Sequence, residues 1–384
     1  MVVPIIKERL LIKPEDLIPS SDKFEIIGVL NPGASVLNNG DIILYVRVIE
    51  KLKNNSSKKY CYSPRFAGKN KFKIKIDRFS KDNVKEEGEL DILFSDGTKR
   101  LKFISHLRRV ILDKNGFYIK SIEQKPGFFG LEWDGDLGIE DPRITKINDL
   151  YIMTYVSLSR ESNISTSYAI SNDCINWYRR GVIFREQNKD VVIFPEIINK
   201  KYVAFHRPEG SFQFKPAKIW IAYSPNLEFW GEEKPIILSK TRAFGKQGAG
   251  PPPIKTNLGW LLLYHTIIRV KSQNNTSKKK SKSSNSKENK DKDLFIYSIE
   301  AALFDLKFPD KLIAISDGPI LNPTQPYEKM LFEDKMIVFP TGIVKKRDSL
   351  LIYSGGGDRV VSVKEIKLKD IISNMKFVNN SKQL

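Results

Sequence analysis

Four short stretches carry side chains that could do chemistry together. Residues 138–143 read Gly-Ile-Glu-Asp-Pro-Arg, two adjacent carboxylates followed by Pro and Arg. A carboxylic acid at a pocket floor, its pKa raised, can donate a proton to a leaving group. A structural turn with a surface ion pair is the plainer reading of the same residues. Residues 205–208, Phe-His-Arg-Pro, place an Arg before a Pro at a strand end. A guanidinium fixed there can grip a planar anion through two parallel hydrogen bonds; a surface Arg is the alternative. Residues 245–253 (GKQGAGPPP) set Lys246 in Gly-rich backbone that suits an oxyanion. They lack the GxxxxGK[ST] order of a nucleotide-binding loop. Tyr264-His265 is the last stretch, and only His106 and His206 accompany His265 in the whole chain. A lone His is more often structural.

Together these give one acid, Asp141, and a group of cationic or basic side chains: Arg207, Lys246, His265 and Lys189. An inverting glycosidase needs a second carboxylate to activate water. A phosphate nucleophile is already anionic and needs cations to hold it at the anomeric carbon. One acid beside a cationic pocket is therefore the pattern that phosphorolysis requires.

The elements that must position these residues are strands. Short runs rich in Ile, Val, Tyr, Phe and Leu are cut by Gly, Asn, Asp and Pro. Helical periodicity is confined to residues 13–18 and 366–375. Five segments share one shape: residues 31–48, 141–157, 194–208, 250–266 and 339–358. Each opens on a Pro-containing turn, continues as a short strand, turns at a polar tip and returns as a mostly apolar strand. Pro lacks a ladder donor and so suits a strand start, and the tips hold turn-tolerant residues. Five such hairpins with intervening strands predict an all-β, five-bladed β-propeller, residues 1–384 forming a single domain. Inner-strand ends converge in a propeller, and that is where the acid, the Arg and the His lie. A sandwich with similar hairpins is the competing architecture.

Residues 271–293 hold no apolar side chain and eight Lys against three acids. Such a segment cannot offset its ordering entropy, so it is expected to be a disordered basic insertion between two strands. Residues 51–59 read as a long hairpin tip. The chain of 384 residues carries a formal charge of +19, with 41% hydrophobic and 11% aromatic residues, which excludes a wholly disordered polycation. Cys61 and Cys174 offer neither a disulfide framework nor a metal spacing. No apolar run approaches a membrane span of about 20 residues, so a soluble, cytoplasmic protein is expected.

The motifs, taken in order, resemble glycoside hydrolase family 130, the β-mannoside phosphorylases and related mannosidases. The stretches are GVLNPGA (28–34), LYVRV (44–48), FISHLR (103–108), GIEDPRITKINDLYIMTYVSLS (138–159) and NKDVVIFPEIINKKYVAFHRP (188–208). IWIAYSPNLEFWGE (219–232), GKQGAGPPPIKTNLGWLLLYHT (245–266), ALFDL (302–306) and GGGD (355–358) complete them. The resemblance implies a five-bladed propeller and Asp141 as general acid, protonating the leaving oxygen through a hydroxyl of the mannose being cleaved. It implies Arg207, Lys246 and His265 as the phosphate-binding set, with Lys189 at a basic position. It implies Asn31, Arg47 and Asp358 at the sugar of the −1 subsite, and Tyr155 as a wall or a plain core residue. No cofactor is implied, inorganic phosphate being the co-substrate. The partners implied are a manno-oligosaccharide, phosphate and further copies of the chain, with no nucleic acid and no membrane. GGGD departs from the family in lacking a bulkier pair before the Asp. The expected reaction is inverting phosphorolysis of a β-1,2- or β-1,4-linked manno-oligosaccharide to α-mannose 1-phosphate. The alternatives are a hydrolase of the same fold and a polyanion-binding propeller.

Overall fold

A computed structural model describes residues 2–210, 214–238, 245–270, 294–330 and 335–378. The basic segment 271–293 lies outside the described residues. The architecture is all-β and propeller-like. Its one α-helix among the described residues is Leu368–Ser373, and the other predicted helix is a single 3-10 turn at Pro14–Asp16. No described helix is long and apolar enough to cross a membrane.

The strands group into antiparallel meanders of four. The first is Phe24–Val36, Ile42–Leu52, Phe103–Leu112 and Ile119–Ile122. The second is Gly138–Ile147, Leu150–Ser159, Asn163–Ser171 and Tyr178–Phe184. The third is Asn188–Ile193, Tyr202–Pro208, Trp220–Ser224 and Gly231–Pro235. The fourth starts with the short pieces Gly248–Ala249 and Ile254–Lys255 and continues through Trp260–Val270, Leu294–Phe304 and Leu312–Ser316. The fifth is Lys335–Lys345, Ser349–Gly356 and Val360–Lys367, and the N-terminal strand Ile5–Ile12 completes it in register Leu10↔Ser362. A short parallel pairing, Phe295↔Lys335 to Tyr297↔Ile337, joins the fourth and fifth into one sheet.

An apolar cluster lies between each pair of neighbours. The return strand beginning at Trp260 shows why. Trp260, Leu262 and Tyr264 pack with Val192, Phe194 and Phe205 of the third meander. Leu261 and Leu263 point the other way, to Val338, Leu350 and Ile366 of the fifth. Alternate residues of a strand face opposite sides of a sheet, so a strand buried on both sides reads as one continuous apolar run. The first strands also meet one another. Thr341 Oγ1 donates to the Pro32 carbonyl at 3.1 Å, Thr145 Oγ1 to the Ile193 carbonyl at 2.9 Å, and Arg143 Nε to the Gly250 carbonyl at 3.2 Å.

Three expectations are corrected. Pro32, Pro142 and Pro340 lie within first strands and not at their starts, because the ladder breaks register beside each one and asks no N–H of it. In the third hairpin the first strand is Asn188–Ile193, so the Phe194-Pro195 turn follows the strand. Residues 53–59 are not a hairpin tip; they lead into the hairpin Tyr60–Phe66/Ile74–Ser80 and a three-stranded sheet from Val84 to Leu101. Cys61 and Cys174 are free, buried thiols.

Candidate active site

Three first strands share one backbone device. The pairing slips between Leu30 and Gly33, between Glu140 and Arg143, and between Lys189 and Val192. The first residue of each slip is left-handed: Asn31 has φ 46°, Asp141 φ 47° and Asp190 φ 55°. Asn and Asp are among the few residues other than Gly that enter this region readily. A bulge re-aims the side chain it carries, and these strands pack against one another, so three polar side chains end up close together.

Asp141 is the hub of one cluster. Its Oδ1 accepts from Asn31 Nδ2 at 2.9 Å and from Arg47 Nη1 at 3.2 Å. Arg47 Nη2 also reaches Glu140 Oε1 at 2.5 Å, and Lys189 Nζ lies 3.8 Å from Glu140 Oε2. Burial would push the Asp141 carboxyl up, but Arg47, Arg143, the Asn31 amide and Lys189 together hold it below the usual carboxylate range. The expectation of a raised pKa is thus overturned for the free protein. Burial works against the Arg47 charge, and Glu140, Asp141 and Asp358 more than restore it. Asp358 sits left-handed (φ 52°) in the turn after three glycines. In the pair before Asp358, Gly357 is left-handed (φ 55°) and a Cβ on it would lie 2.8 Å from the Tyr327 and Lys329 carbonyls; one residue earlier, a Cβ on Gly355 would lie 2.2 Å from Asn31 Oδ1.

Asp190 is the hub of the second. Arg143 Nη2 donates to its Oδ1 at 2.9 Å, Arg207 Nε to its Oδ2 at 2.6 Å, and His265 Nε2 lies 3.8 Å from Oδ2. Burial opposes its ionisation, and the guanidinium groups of Arg207 and Arg143 outweigh burial and keep it a carboxylate. Burial lowers the His265 pKa to about 4 despite Asp190, so the ring is neutral near pH 7 and is not one of the cations. Gly248 permits this approach, since a Cβ there would meet Asp190 Oδ2 and the His265 ring at 2.0 and 2.4 Å. Arg207 Nη1 lies 3.1 Å from Glu209 Oε1, and Lys246 Nζ contacts the same oxygen. Arg143 links the two clusters by donating also to the Asp141 carbonyl at 2.9 Å.

The structure therefore brings together Asn31, Arg47, Asp141 and Lys189 on one side and Arg207, Lys246 and His265 on the other, with Asp358 in the field of Arg47. Tyr155 is not among them. It points between the first and second meanders, its ring edge-on to Phe128 and its hydroxyl donating to Asp134 at 2.7 Å. His106 and His206 are structural: the first lies 3.1 Å from Glu50, the second 2.9 Å from the Asn188 amide and stacked on Phe184. Sequence reasoning missed Asp190 and Glu209, and gave Glu140 and Arg143, which stand in the 138–143 stretch, no role of their own. Asp190 follows Asp141 by 49 residues, within the roughly 40–50 residues of a four-stranded blade, and that step is the signal that would have found it.

The family model described as beta-1,4-mannooligosaccharide phosphorylase, glycoside hydrolase family 130, matches residues 99–377. A beta-1,2-mannobiose phosphorylase of Listeria innocua is 30% identical over 96% of this chain and 97% of its own length. A 1,2-beta-oligomannan phosphorylase of Thermoanaerobacter is 36% identical over 61% of this chain and 70% of its own. The solved structure of the Listeria beta-1,2-mannobiose phosphorylase, in complex with beta-1,2-mannobiose, superposes with a TM-score of 0.78 at 30% identity, covering 95% of this chain and 96% of that one. The chain belongs to glycoside hydrolase family 130.

Proposed function

We propose that this protein is an inverting β-mannoside phosphorylase, taking a β-1,2-linked manno-oligosaccharide and inorganic phosphate to α-mannose 1-phosphate and a shortened acceptor. The five meanders are the blades of a closed propeller, and no organic cofactor is needed. Asp141 is the general acid, delivering a proton through a hydroxyl of the sugar as the glycosidic bond breaks. Asn31, Arg47 and Asp358 hold that sugar. Arg207 and Lys246, with neutral His265 as a hydrogen-bonding partner, hold the phosphate for attack on the opposite face of the anomeric carbon. Bound phosphate offsets part of the cationic field that keeps Asp141 ionised, and so raises its affinity for the proton it must carry. The proton that phosphate sheds on forming the ester balances the one delivered to the leaving oxygen.

One observation carries this reading: Arg207 and Lys246 converge on a single anionic position one cluster away from Asp141. A hydrolase needs a free carboxylate to activate water, and the carboxylate at that position, Glu209, is instead held as the counter-ion of both cations. The names of the relatives support β-1,2 linkages, and the description of the family model favours β-1,4 as the second reading. Incubation with β-1,2- and β-1,4-mannobiose, with and without phosphate, tests both. Mannose 1-phosphate from β-1,2-mannobiose, formed only with phosphate, is the expected product. Free mannose released at the same rate without phosphate would falsify the proposal.

A further inference from the structure

The two cations assigned above to phosphate are already occupied. Glu209 Oε1 lies 3.1 Å from Arg207 Nη1 and also contacts Lys246 Nζ. The Glu209 side chain is 8% exposed and that of Lys246 50%, so the pair sits where a buried guanidinium meets a solvent-facing ammonium. The arginine contact joins two buried atoms, Arg207 Nη1 and Glu209 Oε1, and is the longer of the two that the guanidinium makes to carboxylates. The other edge of the same guanidinium is firmly set, with Nε donating to Asp190 at 2.6 Å. Reciprocal backbone bonds to Gln187 pin Glu209 in place. Side-chain torsions alone then separate this arrangement from one with the carboxylate turned away. Burial pushes the Glu209 carboxyl up, and Arg207, Lys246 and Lys189 bring it below the usual range, so it is an anion at neutral pH.

We propose that Glu209 is a built-in competitor for phosphate: its carboxylate fills the anion seat between Arg207 and Lys246, and inorganic phosphate binds by displacing it. The inference rests on the phosphorolytic reading for what the seat is for. A carboxylate in the empty seat balances the second of the two buried guanidinium charges that share Asp190. Phosphate replaces it because several oxygens can serve Arg207 Nη1 and Lys246 at once with directed bonds, where one Glu209 oxygen serves both. Glu209 is thus a specificity-determining residue that sets how much phosphate the enzyme requires.

Calorimetric titration of inorganic phosphate into the full chain tests this, with Glu209→Gln and Glu209→Asp beside the wild type. Glu209→Gln is expected to bind phosphate at least about tenfold more tightly, as removal of a close competing charge implies. Its KM for phosphate falls without a matching fall in kcat. Glu209→Asp, whose carboxylate stops one methylene short, falls between the two. Unchanged or weaker phosphate binding by folded Glu209→Gln overturns the proposal, since it would make Glu209 a bystander or a partner of the bound anion. If Glu209→Gln does not fold, Glu209→Asp is judged by the same criterion. A wild type that binds phosphate yet releases no mannose 1-phosphate defeats the functional reading alone, and the affinity comparison still decides the role of Glu209. Absence of phosphate binding in all three proteins overturns both.

Discussion

Asp141 and Asp190 stand on the same left-handed bulge, 49 residues apart, and are put to different uses by their neighbours. Asp190 is held by Arg143 and Arg207 at contact distance with His265 beyond, and its side chain is 2% exposed. Asp141 has one guanidinium and one amide at contact, and its side chain keeps 11% exposure. A carboxylate enclosed by cations cannot take up a proton without stranding them, so Asp190 is a fixed counter-ion. A carboxylate with one charged partner and an open side can respond to what binds next to it. The backbone device delivers a side chain to the centre; the surrounding cations decide whether that side chain works or holds others in place.

The same substitution at both hubs should separate the two roles most strongly. Asp141→Asn keeps the shape and removes the transferable proton, so kcat for phosphorolysis should fall about 10³-fold, within the range seen for general acids. Its thermal unfolding should stay near that of the wild type. Asp190→Asn leaves Arg143 and Arg207 buried without their shared anion, and breaking such a pair costs about 3–5 kcal/mol of stability. Urea unfolding reads that loss. If Asp190→Asn proved as stable as wild type while Asp141→Asn unfolded, the assignment of worker and holder would be reversed.

Acid sharpens the comparison further, because a histidine, His265, stands 3.8 Å from Asp190, whereas the ion-pair partner of Asp141 is Arg47. Burial takes His206 and His265 down to about 4. An unfolded His titrates near 6.5, so between about pH 6.5 and 4 the unfolded chain binds more protons than the folded one. Stability is complete above that window and falls as the pH drops through it, by about 3 kcal/mol for each ring. Urea midpoints at pH 7 and pH 5 should show a steep loss in the wild type and a shallower one in His265→Gln. An equal loss in both would mean that His265 titrates normally and is a cation in the site after all.

How much of this was legible in the sequence follows from the range of each interaction. The return strand from Trp260 announces itself because both its faces are buried over Trp260–Tyr264 and those five residues are all apolar or aromatic. Asp141 is conspicuous because Pro and Arg follow it. Asp190 occupies the equivalent position but is followed by Val191, and the Pro that anchored the third hairpin lies past the strand end. The ionisation of Asp141 was read in the wrong direction, since burial is suggested by local pattern while Arg47 sits 94 residues away in sequence. Glu209 was passed over for a related reason: nothing near it in sequence shows that Lys246 folds onto it. Local pattern carried the strands and the obvious acid; the charge state of the site depends on pairings between meanders.

The mildest test acts on Asn31, the third residue on this bulge and the one without a charge. Its Oδ1 stands where a Cβ on Gly355 would be, at 2.2 Å, while its Nδ2 donates to Asp141 at 2.9 Å. Gly355→Ala must therefore push the amide aside or move the strand Ser349–Gly356, an overpacking that costs about 1–3 kcal/mol. Displacing the amide removes one hydrogen bond to the Asp141 carboxylate, worth about 1.5 kcal/mol or more for a charged acceptor. The expected outcome is a drop of about tenfold in kcat/KM for the mannoside, with KM for phosphate unchanged because no contact of Asp190, Arg207 or Lys246 is touched. Phosphate KM rising in parallel would mean that the two clusters respond as one, through Arg143, and that the division between them is one of position and not of function.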